Sequence, residues 1–180
     1  MTSDLPLYFI AIIPPPSVAE ELMLLKYEMR DLFGSKASLN SPPHITLHMP
    51  FKYKDSKLDQ LIETLTGITF SLVEISLKSF GKFEPRVIFV DVEMNDSLSL
   101  LQKEVKKKCQ RLGLGDSTYR NHGFHPHITI GFRDLKKRFF EEAWNYINAK
   151  TINYQFTIDS FFLLKHNGKT WEPFLEFKSN

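Results

Sequence analysis

His44-Ile45-Thr46-Leu47 follows Pro43, and His127-Ile128-Thr129-Ile130 follows Pro126, 83 residues further on. β-Branched and apolar residues alternate with polar ones in both stretches, so each reads as a short strand. Side chains alternate between the two faces of a strand. Each His therefore shares a face with its Thr, while the second and fourth residues turn into a core. Six His and ten Thr in 180 residues would produce this pattern by chance roughly 0.06 times, and two copies in about one chain in several hundred. A fold for this sequence has to accommodate two strands with apolar backs, each presenting an imidazole and a hydroxyl.

The neighbouring segments repeat as well. Leu7 to Ile13 is a continuous apolar run closed by three prolines, which suits a strand covered on both faces. A capping-box pattern at Ser17-Val18-Ala19-Glu20 opens a helix with Val18, Leu22, Leu25, Met29 and Phe33 on one face, and Gly34 offers a left-handed stop. The first His-Thr strand comes next, ending at Met49-Pro50. Asp55 caps a helix through Leu58, Leu61, Ile62 and Leu65, ended by Gly67. Strands over Phe70 to Phe80 and Arg86 to Met94 are joined by a turn holding Gly81 and Pro85.

In the second half Val87 to Val90 matches the opening strand, and a helix carries Leu98, Leu101, Val105, Cys109 and Leu112. After the second His-Thr strand, Asp134 caps a helix through Leu135, Phe139, Ala143 and Ile147. Ile152 to Leu164 and Trp171 to Phe177 read as strands. Two turns echo each other, Phe83-Glu84-Pro85 and Trp171-Glu172-Pro173. The expectation is an α+β protein, one bilobal domain over residues 1–180 with approximate repeat halves 1–85 and 86–180. Its two similar lobes, antiparallel sheets with flanking helices, are related by an approximate two-fold axis with the active-site cleft between them.

Two imidazoles facing each other across a cleft suit proton transfer in both directions, because imidazole titrates near neutral pH. Two hydroxyls on the same strands suit the oxygens of a small anion that gains charge in a transition state. A net charge of +2 is too weak for a global basic field, so a nucleic-acid partner would be held locally. The single cysteine, Cys109, allows no internal disulfide and fits a cytoplasmic location. The apolar N-terminal stretch lacks a basic flank and is broken by prolines, so it is expected to be a strand and not a signal or membrane segment.

Other candidates surround the motifs. Arg133 and Lys52 are possible phosphate ligands, and Tyr8, Phe83, Tyr119 and Trp171 possible stacking rings for a nucleobase. His125-Pro126-His127 has the spacing of a strand-borne zinc site, with His122, His44 or His48 as a third ligand. That reading gives the threonines no role and finds no Asp, Glu or Cys in the cluster. His125 is expected to shape the loop entering the site, His48 to lie at the cleft edge or in solvent, and His166 to sit in a turn. Lys106-Lys107-Lys108 reads as a solvated helix face, and most of the 16 Phe as core.

The doubled His-apolar-Thr-apolar motif, about 80 residues apart, resembles the 2H phosphoesterase superfamily, which includes the RNA 2',3'-cyclic phosphodiesterases once called 2'-5' RNA ligases. The resemblance spans essentially the whole chain. It implies a metal-independent phosphodiesterase without cofactor, opening 2',3'-cyclic phosphates of RNA ends or small nucleotides. It further implies His44 as proton donor, His127 as proton acceptor, and Thr46 and Thr129 on the phosphate; the residues alone leave the two histidine roles open. Many RNA cyclic phosphodiesterases of this kind place an arginine five residues after the second histidine, where this chain has Phe132, one position short of Arg133. The first motif, PPHITLHMPF, is similar to less characterised bacterial members. A cytoplasmic monomer with no membrane partner is expected. The alternatives are hydrolysis of another cyclic or 2'-linked nucleotide phosphodiester, and a non-catalytic RNA-binding module.

Overall fold

The apolar run at the N-terminus forms strand β1 (Leu7–Ile12), an interior strand of its sheet that is buried on both faces after Leu7. The computed structural model describes residues 5–115 and 123–179, so Tyr119 and His122 lie outside the described residues. Helix α1 (Pro16–Phe33) follows, then β2 (Ile45–Lys52), α2 (Leu58–Thr66) and β3 (Val73–Phe83). The second half supplies β4 (Val87–Val92), α3 (Asp96–Arg111), β5 (His127–Gly131), α4 (Phe140–Asn148) and β6 (Tyr154–Ile158), and β7 (Ser160–His166) and β8 (Trp171–Lys178) close the chain.

Two four-stranded antiparallel sheets result, ordered β2-β1-β7-β8 and β5-β4-β3-β6. The fold is the expected α+β, and each His-Thr strand is an edge strand of its sheet. The sheets do not follow the boundary between residues 85 and 86. β3 crosses to pair with β4 and β6, while β7 returns to pair with β1. The strand expected over Ile152 to Leu164 is divided at Asp159 for this reason, since β6 and β7 belong to different sheets.

The apolar backs of the motif strands are fully buried at Ile45, Leu47, Ile128 and Ile130. α1 packs against β5, and α3 against β2, so each motif strand is covered by a helix from the other half of the sequence. One hydrophobic core runs from Ile10 and Ile12 on β1 through Leu22 and Met29 on α1 to Val90 and Ile130. Burial of this apolar surface is the main stabilising force, at about 25 cal/mol per Å². No helix among the described residues is long and apolar enough to cross a membrane.

Several expected caps do different work. α1 starts at Pro16, whose missing N–H costs nothing at a helix start, and the Ser17 hydroxyl makes no cap. Gly34 does end α1 in the left-handed region at φ 72°, with its N–H on the Arg30 carbonyl. Asp55 caps no α-helix; it sits in a 3₁₀ turn and accepts a hydrogen bond from the Tyr8 hydroxyl at 3.0 Å. Asp134 lies well before α4 and instead accepts from Lys36 N (2.6 Å), Ala37 N (2.9 Å) and the Ser35 hydroxyl (3.0 Å). It thereby ties the turn at 35–40 to the chain just after β5. Ser38 adds a second tie, donating to the Ile130 carbonyl at 2.7 Å.

β3 extends three residues beyond the expected end, placing Gly81 within the strand and the turn at 84–86. Trp171-Glu172-Pro173 is no turn either. It begins β8, where an edge position tolerates the proline. β2 likewise runs through Pro50 to Lys52 because it is an edge strand.

Candidate active site

His44 stands immediately before β2 and His127 opens β5, and the two edge strands come together. Each imidazole is oriented in the same way. Nδ1 of His44 lies 2.7 Å from the Pro42 carbonyl, and Nδ1 of His127 lies 2.7 Å from the His125 carbonyl. A carbonyl can only accept, so Nδ1 carries the proton in both rings and the neutral form leaves the Nε2 lone pair free.

The rings are also packed alike. His44 lies 4.8 Å from the Phe9 ring at 52°, and His127 lies 4.9 Å from the Phe89 ring at 51°. Phe9 belongs to β1 and Phe89 to β4, each the neighbour of its motif strand. Both phenylalanines are buried. A further ring supports each: Trp171 at 4.8 Å from Phe9, and Phe83 at 4.5 Å from Phe89. The two aromatic-Glu-Pro triplets thus correspond in place, each putting a ring behind one histidine. Phe89 in turn lies over Gly81, where an added Cβ would sit 2.3 Å from its ring.

Burial moves both imidazoles toward the neutral form. The His44 pKa is lowered to about 4, first by burial and then by the positive charge of Lys26, against the favourable Pro42 carbonyl; His127 lowers it further. The His127 pKa is lowered chiefly by burial, with the His125 carbonyl opposing.

Thr46 and Thr129 are half-buried and share strand faces with the imidazoles, opposite their buried neighbours. The remaining candidates scatter. Lys52 ends β2, about 25 Å from His44 at 3.3 Å per residue. Arg133 is exposed beyond the end of β5 with its guanidinium over the Phe132 ring. Tyr8 is fully buried on the side of β1 opposite Phe9, against Phe51 and Phe174. Phe83 is 41% exposed and touches both His125 and His127, and Trp171 is half-buried beside Phe9.

His48 does not reach the cleft edge. A register shift after Thr46 turns it inward, where it is buried with Nε2 3.0 Å from the Leu114 carbonyl. His166 ends β7 and packs on Trp171 at 4.9 Å. An aspartate does join the histidine cluster, contrary to expectation: Asp91, opposite His127 in the ladder, lies 3.0 Å from His125 Nε2. Among the described residues no group of three potential ligands is placed to hold a metal ion.

Sequence reasoning missed Lys26. It is 1% exposed, with Nζ donating to the Ser38 carbonyl at 2.8 Å and the Ser41 carbonyl at 3.0 Å. The signal was available, because Val18, Leu22, Met29 and Phe33 leave position 26 as the middle of the buried stripe. Leu25, expected there, is only partly buried.

Comparison with known proteins agrees with the fold. The family model described as the 2'-5' RNA ligase superfamily matches residues 14–170. A protein named as a phosphoesterase in Geobacillus sp. strain WCH70 is 32% identical over 127 residues, 68% of this chain and 69% of its own. The RNA 2',3'-cyclic phosphodiesterase of Archaeoglobus fulgidus is 29% identical over 127 residues, 68% of this chain and 70% of its own. In fold, Escherichia coli LigT complexed with 3'-AMP superposes with a TM-score of 0.72 at 21% identity, covering 97% of this chain and 99% of that one. With a family match over most of its length and two lobes of the same architecture, the chain belongs to the 2'-5' RNA ligase superfamily, the 2H phosphoesterases.

Proposed function

We propose that the protein hydrolyses 2',3'-cyclic phosphates at RNA ends or on small nucleotides by two-histidine acid–base catalysis. The observation that carries this reading is the matched pair of imidazoles, each with Nδ1 fixed on a carbonyl, which leaves Nε2 as the nitrogen that exchanges a proton. The name of the Archaeoglobus relative supports the substrate class.

In this mechanism His127 Nε2 takes a proton from water while the water oxygen forms a bond to phosphorus. The P–O3' bond breaks, and the departing O3' takes the proton held on His44 Nε2, leaving a 2'-phosphate and a 3'-hydroxyl. The hydroxyls of Thr46 and Thr129 donate to the phosphoryl oxygens as their charge grows. The roles are assigned as the family resemblance implies, with His44 as donor and His127 as acceptor. Burial lowers both pKa values, so His44 donates only after the bound phosphate anion has restored its proton. His127 is neutral and ready to accept. Proton return through solvent completes the cycle, and no step calls for a metal.

The test is incubation with 2',3'-cyclic nucleotides and cyclic-ended oligoribonucleotides in EDTA, with the product phosphate identified by NMR. Turnover to the 2'-phosphate is expected. Loss of activity in EDTA, recovered on adding a divalent metal, would replace this mechanism by metal-assisted hydrolysis. Binding of RNA without any turnover would leave a binding module.

The histidine pKa shift also has a stability signature. Below pH 6.5 the unfolded chain protonates His44 while the folded chain does not until about 4. Stability therefore falls with decreasing pH across that window, by at most about 3 kcal/mol from this group. Urea midpoints at pH 7 and pH 4.5 should show a smaller difference in His44→Phe than in the wild type.

A further inference from the structure

Among the described residues, neither candidate cation, Arg133 nor Lys52, is placed at the two imidazoles. Arg133 lies over the Phe132 ring, Lys52 stands at the far end of β2 from His44, and both imidazoles are driven toward neutrality. A phosphate diester anion brought into a half-buried cleft needs compensation, because a buried charge without a partner is costly. Among the described residues one charge has the opposite deficiency. Lys26 is buried in the core side of α1, and no carboxylate pairs with it among the described residues; its two hydrogen bonds go to backbone carbonyls. Glu28, on the same helix, is taken by Lys150 at 3.0 Å. The charge of Lys26 is, after burial, the next cause that lowers the His44 pKa.

We propose that Lys26 is the cationic element of the phosphate site, a positioning residue acting from the interior on the anion bound between His44 and His127. This rests on the two-histidine site proposed above. The carbonyls of Ser38 and Ser41 belong to the segment leading directly to Pro42, whose own carbonyl holds His44 Nδ1. That segment is tied to β5 through Ser38 and Asp134. One ammonium thus fixes the approach to the first histidine and places a positive charge behind it, without touching substrate. The protein interior screens that charge less than water would. The arrangement also accounts for a lysine in the middle of an apolar helix stripe, where its burial alone lowers its pKa to about 7. An arriving anion restores the charged form.

Inorganic phosphate is the probe. In the wild type labelled with 13C-lysine, the Lys26 ε-carbon, assigned by comparison with Lys26→Arg, should titrate about one pH unit higher in saturating phosphate. Coupling is reciprocal, so Lys26→Gln, which keeps N–H donors for the two carbonyls but not the charge, should bind phosphate about tenfold more weakly. Lys26→Arg, which keeps the charge, should stay within about twofold of wild type by the same coupling. An unmoved Lys26 midpoint while phosphate shifts the His44 and His127 ring signals would overturn the proposal and leave the histidine site standing. So would equal losses of affinity in the Gln and Arg variants that follow their losses in Tm, which would assign the lysine a structural role only. If phosphate shifts neither imidazole, the anion site itself fails, and this proposal with it.

Discussion

His127→Ala is expected to lower kcat for a 2',3'-cyclic nucleotide by 10²–10⁴-fold, the typical worth of one positioned acid or base. His44→Ala should do the same. The double variant should lose little more than either single one, because groups that act as a unit in one transition state are not additive. Both rings lie on phenylalanines at the cleft and not within the main core, so Tm should change little in either variant. Steady-state kinetics alongside thermal melts separate the outcomes. Wild-type turnover in the double variant would end the acid–base assignment. A collapse of Tm in either single variant would show that the imidazole holds the fold together instead.

The second large effect is expected at an apolar contact behind His127. Gly81→Ala places a methyl 2.3 Å from Phe89 Cε2 and 2.4 Å from Cζ. The ring cannot stay, and Phe89 is the surface on which His127 rests. Overpacking of this kind costs about 1–3 kcal/mol. A displacement of about 1 Å at a reacting group can cost 10²-fold in rate. Gly81→Ala should therefore lower both the urea midpoint and kcat, the latter about 10²-fold. Gly81→Ala with Phe89→Leu should regain stability by removing the clash, while kcat stays low because the imidazole has lost its flat support. Recovery of both together would mean that the ring does not position His127.

The motif strands were legible in the sequence because their alternation is strict and local: Ile45, Leu47, Ile128 and Ile130 are all buried. The α+β class was legible from the same periodicities. What surrounds the imidazoles was less so, for reasons that differ by residue. Phe9 and Phe89 look like any core phenylalanine until the neighbouring strand is known. His48 was read in phase with His44, and the register shift after Thr46 reversed its face. Asp134 had the sequence context of a helix cap, but its partners lie almost 100 residues away, and no local pattern carries that information. Lys26 was hidden by a habit of pattern reading, since a helix stripe is scored by its apolar members and the exception was overlooked.

The exchange of strands between halves has a consequence for how the protein comes into being. β1 leaves the ribosome long before its neighbour β7, since Ile10 is paired to Leu163. Until then β1 has β2 on one side only, and its other edge, apolar on both faces, stays open to wrong partners. The first His-Thr strand cannot be held in a finished sheet before β7 and β8 have been made. Synthesis from the N-terminus therefore completes the pair of histidines late, and a nascent chain or a truncated half carries the motif without the enzyme.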